Sequence, residues 1–290
     1  MSAGSTPGDR IPLTWPDLTG RARPEPDAVE RYGDDALQRV DLWLPADGDD
    51  TPRPVVLMVH GGCWQSAIAD RRLMDWIADD LRRDGIAVWN IDYRGVDRDG
   101  GGYPGTFHDV AAAADLLRAV GRRHAIDPGR VVAVGHSAGG HLALWLAARL
   151  RLPHDSVLWR PDPLPVRHVV SLGGLPDLAA VEDEPANGCG TDVIARLVGG
   201  GRADRFADTS VAELLPIGVP HDLVNGREDR IVPYRFATEY LATARMNGDS
   251  VTLHTVPATG HVELIAPETA AWSVAKSCIR KALECTEPEH

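Results

Sequence analysis

A β-branched apolar run, Val131-Val132-Ala133-Val134, stops at Gly135, and Ser137 follows two residues later. Gly139 and Gly140 come next, then the helix-like stretch Leu142-Ala143-Leu144-Trp145-Leu146-Ala147-Ala148-Arg149. The pattern G-x-S-x-G is common by itself. Set between a buried strand and a helix, it constrains the fold, because a sharp strand-to-helix turn lifts the serine hydroxyl out of a sheet. Such a turn brings backbones together, which the missing side chains of Gly135 and Gly139 permit. The N–H groups that open the following helix point at the same spot and favour negative charge there. A serine held in this way becomes a nucleophile once a base takes its proton.

The remaining chain reads as strands alternating with helices. Residues 38–45 alternate polar and apolar, as a half-exposed strand does. The run 54–62 is continuously apolar until its glycines, which predicts a strand buried on both faces. Further strands are expected at 86–94, 131–135, 166–174, 221–226 and 250–256. Helices are expected at 70–83, 107–124, 142–150, 192–198, 209–215, 234–246 and 268–284. The alternation implies an α/β fold, a mostly parallel sheet flanked by helices. One domain over 1–290 is expected, with no internal repeat. Residues 1–34 form an N-terminal arm, in which Pro12, Pro16, Pro24 and Pro26 break any long element, and 47–50 form a turn. Segment 175–217 breaks the strand–helix rhythm and reads as a cap-like insertion over the mouth of a site. In such sheets ligands bind at the carboxyl ends of the strands. Residues 60–62, 135–137, 173–174 and 226–229 all fall at those ends.

A serine nucleophile needs a base and a third group to orient the base. His261 follows the last strand in a loop and is the base candidate. Asp229 follows the penultimate strand and is the acid candidate, with its neighbour Glu228 and the earlier Asp177 as rivals. The order Ser137, Asp229, His261 matches one known chain order of such triads. Backbone donors must face the developing oxyanion. The N–H of Ala138 is one. Gly62 and Cys63 are the preferred others, with Gly61 as the alternative. His60 is read as a brace for this loop. Trp64 and His136 are read as substrate contacts, Trp64 with packing under the loop as the equal alternative. His136 and His141 are five apart and flank the serine, and His60 and His108 are the candidates to join them around a metal. No HExxH is present and no carboxylate or cysteine is suitably spaced, so neither a catalytic metal nor a cofactor is expected.

The 290-residue chain carries a formal net charge of −12, with 42 acidic and 30 basic residues. That balance argues against nucleic acid and against an anionic membrane as partners. No apolar run is long enough to span a bilayer. The small, polar first ten residues lack the apolar core of a signal peptide, so a cytoplasmic location is expected. Cys63, Cys189, Cys278 and Cys285 have no metal or redox spacing and are expected to be reduced packing thiols. A small-molecule substrate, and a monomer or homodimer, complete the expectation.

The motifs HGGCW at 60–64, GHSAGGH at 135–141, GREDRIVP at 226–233 and GH at 260–261 together resemble the α/β-hydrolase superfamily. Within it they look like the esterase group that includes kynurenine formamidases (arylformamidases) and hormone-sensitive-lipase-like carboxylesterases. HGGxW rather than HGGG, Asp92-Tyr93-Arg94 after a strand and Leu175-Pro176-Asp177-Leu178 lean toward the formamidase-like branch. The resemblance implies Ser137, Asp229 and His261 as the triad and Gly62, Cys63 and Ala138 as the oxyanion hole. It implies a metal-independent serine hydrolase acting on a small acyl ester or aryl formamide. A peptidase-like hydrolase or lactonase, and a ligand-binding homologue without catalysis, are the alternatives. Cys63 departs from the resemblance, since formamidases usually carry an aromatic residue at that position of the motif.

Overall fold

In Arg53–Val59 successive side chains enter two different cores, which is what a doubly covered strand requires. Val55, Leu57 and Val59 join one apolar cluster. Val56 and Met58 join the other. The computed structural model describes residues 12–46, 51–184, 189–190 and 192–285. The expected turn at 47–50, the first eleven residues and part of the 175–217 insertion lie outside them.

Eight strands form one sheet: β1 (Ala28–Arg31), β2 (Arg39–Trp43), β3 (Arg53–Val59), β4 (Ala87–Ile91), β5 (Ile126–His136), β6 (His168–Leu172), β7 (His221–Gly226) and β8 (Val251–Val256). Their spatial order is β1-β2-β4-β3-β5-β6-β7-β8. The β1–β2 and β2–β4 pairs are antiparallel and every other pair is parallel. The chain leaves β3 toward β4 and returns to β5 on the other side, so the order reverses between β3 and β5. A crevice outside the carboxyl ends of strands opens at such a switch point. Register fixes what meets there. Val59 pairs with Gly135, His136 with Leu172, and Leu172 with Val224.

Among the described residues, eight α-helices accompany the strands: α1 (Trp15–Thr19), α2 (Asp75–Arg83), α3 (Gly105–Val120), α4 (Ala138–Ala148), α5 (Leu178–Glu182), α6 (Val193–Val198), α7 (Arg235–Met246) and α8 (Ala270–Glu284). On α2, Trp76, Ile77 and Leu81 turn inward, and on α8 Trp272, Ala275 and Ile279 do the same. The α8 start is capped by Thr269, whose Oγ1 accepts from the Trp272 N–H at 3.1 Å. Helix α4 is buried all round, as befits a helix enclosed between the sheet and the segment above it.

Several expected boundaries move. Helix α4 begins at Ala138, directly after the serine, and ends at Ala148, two residues before the expected end at 150. Strand β5 starts five residues early. Residues 209–215 contain only a 3-10 turn, Val211–Leu214. The arm holds more structure than its prolines suggest. Helix α1 starts with Pro16 in its first turn, where the missing N–H is harmless. Strand β1 adds an antiparallel edge beside β2.

Candidate active site

Ser137 sits between β5 and α4 with φ 55° and ψ −123°, a conformation L-residues rarely adopt. Neighbouring chain holds it there. The Ser137 N–H donates to the Leu172 carbonyl at 2.8 Å, and the Gly140 N–H donates to the Ser137 carbonyl at 2.8 Å. The approach is close. A Cβ on Gly135 would lie 2.0 Å from the Gly139 oxygen, and one on Gly139 would lie 2.1 Å from the Val59 oxygen. No side chain fits at either position, which is the steric content of G-x-S-x-G.

His261 follows β8, and its Nδ1 lies 2.6 Å from Asp229 Oδ2. Both side chains are almost fully buried, which strengthens the contact by excluding water. The other Asp229 oxygen accepts the N–H groups of Ile231 at 2.8 Å and Val232 at 2.9 Å. Those two bonds hold the carboxylate pointing at the imidazole. The rival carboxylates are engaged elsewhere. Glu228 accepts the Thr259 N–H at 2.9 Å, bracing the loop that carries His261. Asp177 caps α5 by accepting from Ala179 and Ala180.

The loop after β3 lies directly against the serine. A Cβ on Gly61 would fall 3.0 Å from the Ser137 Cβ. Three successive residues are then left-handed: Gly62 (φ 106°), Cys63 (φ 52°) and Trp64 (φ 53°). For the two non-glycine residues this costs about 1–3 kcal/mol each, and a dense set of contacts holds them there. His60 behaves as the expected brace. Its Nε2 is 3.0 Å from Asp92 Oδ1, and its ring stacks on Tyr93 at 4.3 Å. Asp92 is in turn bound by Arg71, which also bonds Asp41. This buried ion network lies beneath the loop. Its one sequence signal is Asp92 placed directly after a strand.

The cysteine expectation is corrected here. Cys63 and Cys189 form a disulfide across 126 residues of sequence, while Cys278 is a buried thiol and Cys285 an exposed one. The loop after β3 is therefore tied covalently to the segment between β6 and β7. Gln65 Nε2 adds a bond to the Cys189 carbonyl at 3.2 Å. Lone cysteines so far apart carry no spacing signal.

Trp64, for which packing under the loop is the equal alternative to touching substrate, and His136, read as a substrate contact, both lie inside the fold. Both are fully buried. The Trp64 indole N–H donates to His141 Nδ1 at 3.2 Å, and His141 Nε2 meets the Thr209 carbonyl at 2.8 Å. Burial pushes the His141 pKa down to about 4, so it relays this contact as a neutral ring. Trp64 thus packs under the loop. His136 lies against His261, with ring centroids 4.4 Å apart and Nε2 3.2 Å from the His261 carbonyl. Burial, reinforced by the His261 ring, holds His136 far below the usual imidazole range. It is a neutral support behind His261.

The arm supplies one more wall. Trp15 meets the edges of His136 and His261 at 6.2 and 6.1 Å. Glu263, two residues after His261, accepts the Leu13 N–H at 2.6 Å and the Gly260 N–H at 3.1 Å. Nothing in the pattern of the arm announces either contact.

A family model for BD-FAE matches residues 40–243. The chain belongs to the BD-FAE family. The matched BD-FAE region contains Ser137 and Asp229 and ends before His261. Esterase LipC of Mycobacterium tuberculosis (strain ATCC 25618 / H37Rv) is 28% identical over 240 residues, covering 79% of this chain and 58% of that protein. The acylamino-acid-releasing enzyme of Rattus norvegicus is 25% identical over 248 residues, covering 82% of this chain and 32% of that one. This BD-FAE chain therefore spans about a third to three fifths of the length of these relatives. Among solved structures, a truncated carbohydrate esterase from gut microbiota superimposes with TM-score 0.74 at 20% identity, covering 89% of this chain and 97% of that one. An esterase of Thermogutta terrifontis does so with TM-score 0.72 at 20% identity, covering 92% and 96%. The fold of this BD-FAE member is thus the α/β-hydrolase fold.

Proposed function

We propose that this chain is a serine hydrolase that cleaves a small acyl ester through Ser137, His261 and Asp229. The observation that carries the reading is the buried 2.6 Å contact of His261 Nδ1 with Asp229, the His261 ring lying against that of His136, the residue before a serine held at φ 55°. His261 takes the Ser137 proton as the hydroxyl attacks the acyl carbonyl. The oxyanion is met by the N–H of Ala138 at the start of α4, and by those of Gly62 and Cys63 in the opposing loop. His261 then protonates the leaving group, and water releases the acyl group by the reverse sequence. Asp229 fixes the tautomer and orientation of the ring.

Esterases among the relatives and structural neighbours support an ester substrate. HGGCW and Asp92-Tyr93-Arg94 support an aryl formamide as the second reading. The name of the rat relative supports a third, peptidase-like reading. One rate comparison separates them, using p-nitrophenyl acetate, N-formyl-kynurenine and an N-acetylated amino-acid p-nitroanilide, with Ser137→Ala as control. The substrate turned over at kcat/KM above about 10⁴ M⁻¹ s⁻¹ identifies the class. No turnover, and no labelling of Ser137 by a fluorophosphonate, would leave the ligand-binding alternative. For solution state we propose a monomer or homodimer, to be read by sedimentation.

Among the described residues no helix is long and apolar enough to cross a membrane. The cytoplasmic reading meets a contrary observation in the Cys63–Cys189 disulfide, since such bonds persist mainly in oxidising compartments. Thiol trapping in intact cells decides the point. Alkylation of both cysteines before lysis supports the cytoplasm, and protection of both supports an oxidising location.

A further inference from the structure

Away from the serine, three strands and one helix bring a second set of polar side chains together. Val170 of β6 and Thr252 of β8 flank Asp222 of β7 in register. His168 is two residues before Val170, and His254 is two residues after Thr252. The period of two puts His168, Asp222 and His254 on one face of the sheet, the face covered by α8. Cys278 of α8 comes down onto them. His254 Nε2 is 2.7 Å from Asp222 Oδ1 and 3.4 Å from Cys278 Sγ. The second Asp222 oxygen is 2.8 Å from His168 Nε2.

Two hydrogen-bonding groups crowd a single atom of His254. A ring nitrogen has one in-plane direction, for one proton or one lone pair. At His254 Nε2 both a carboxylate oxygen and a sulfur compete for it. A metal ion on that axis would take all three. One ligand atom each from Asp222, His254 and Cys278 lies within 4.8 Å of the other two. With zinc–ligand bonds of about 2.0–2.3 Å, a tetrahedral site needs ligand-to-ligand edges of about 3.3–3.6 Å. The sulfur–nitrogen edge is already there, and the oxygen–nitrogen edge must open by roughly half an ångström.

We propose that Asp222, His254 and Cys278 form a zinc-type metal site, with His168 orienting the Asp222 carboxylate from behind. A thiolate, an imidazole and a carboxylate suit a borderline divalent ion. The two anionic ligands neutralise its charge. Binding releases the Cys278 thiol proton to solvent. His254 and Asp222 are 31% and 16% exposed at their side chains, which leaves an entry path and room for water as fourth ligand. The site lies toward the amino end of β7, seven residues before Asp229, and seven residues before His261 on β8. It would pin α8 to the two strands that deliver those groups, as a structural rather than a reacting ion.

The test uses the full chain with its disulfide intact, freed of metal by a chelator and titrated with Co²⁺. One Co²⁺ per chain is expected, with tetrahedral d–d bands and a thiolate-to-cobalt charge-transfer band, both displaced by Zn²⁺. Cys278→Ser should abolish the charge-transfer band, His254→Ala should weaken binding at least about tenfold, and Cys285→Ser should change neither. Zn²⁺ should also slow alkylation of Cys278 in the Cys285→Ser protein, a readout that needs no ligand variant to fold. The site is disproved if the charge-transfer band is absent or survives Cys278→Ser, or if Zn²⁺ leaves the alkylation rate unchanged.

Discussion

Each residue of the proposed triad is held by bonds that can be removed one at a time. Ser137→Ala should lower kcat by about 10⁴- to 10⁶-fold with little change in Tm, because the hydroxyl is not what keeps the turn. Asp229→Asn keeps the shape but presents the wrong hydrogen-bonding group to Nδ1, and should cost about 10⁴ in kcat. Asp177→Asn touches only the α5 cap and should leave kcat within a fewfold of wild type. The reverse pattern would move the acid to Asp177. A different carboxyl governs stability. Asp75, in the first turn of α2, is buried, and its Oδ1 has no hydrogen-bond partner among the described residues. Arg23 approaches its other oxygen only to 3.8 Å. Burial therefore pushes its pKa up to about 8, against about 3.9 in the unfolded chain. The folded state holds this proton more tightly, so the group opposes folding increasingly as pH rises from about 4 to about 8. Asp75→Asn should raise Tm by about 2 °C or more at pH 8.5 and have little effect at pH 4, as a calorimetric pH series would record.

At the level of elements, three links among the described residues fasten the segment between β6 and β7 to the loop after β3. They are the disulfide, the Gln65–Cys189 bond, and the relay from Trp64 through His141 to Thr209. The segment has its own anchor in buried Asp208, which takes Arg202, Tyr103 and Ser156. Cys189→Ser should therefore leave the protein folded while loosening the loop proposed to supply N–H groups to the oxyanion. We expect kcat/KM to fall about tenfold or more, ~1.4 kcal/mol of barrier, with Cys285→Ser unchanged. An unaltered rate would show that the loop holds its left-handed turn without the tether. The same elements mark what could be read in the sequence. The Asp229–His261 partnership was legible because parallel strands end side by side, so residues just past them must meet. The Cys63–Cys189 pairing was not, because it depends on where two loops cross in space. His136 adjoins Ser137, and sequence adjacency alone does not say which way its ring points. As the last residue of β5, it turns instead into the buried packing behind His261. Helix α4 runs through Gly139 and Gly140, which disfavour helix in isolation, because tertiary contact overrides that propensity.

Across the whole molecule, residues 12–31 act as a strap. Strand β1 pairs at one edge of the sheet. The chain then lies over α2 and α8, where Trp76 Nε1 donates to the Ala22 carbonyl at 3.1 Å and Arg21 pairs with Glu268. Leu18 is fully buried in the core on that face. The strap reaches the His261 loop through Leu13 and Trp15. One edge of the sheet is thus coupled to His261, the proposed base, by a segment whose prolines suggest only a loose arm. Two substitutions separate anchoring from contact. Leu18→Ala removes a buried anchor and should cost about 2–5 kcal/mol of stability. Its effect on rate should appear only where the strap detaches. Trp15→Ala leaves that anchor in place and removes the wall against His136 and His261. Because Trp15 is half-buried, its stability loss should be the smaller of the two. It should lower kcat by about 3- to 30-fold, roughly 1–2 kcal/mol, as the imidazole gains freedom away from Asp229. Equal stability losses with an unchanged kcat in Trp15→Ala would show that the strap only clamps the fold.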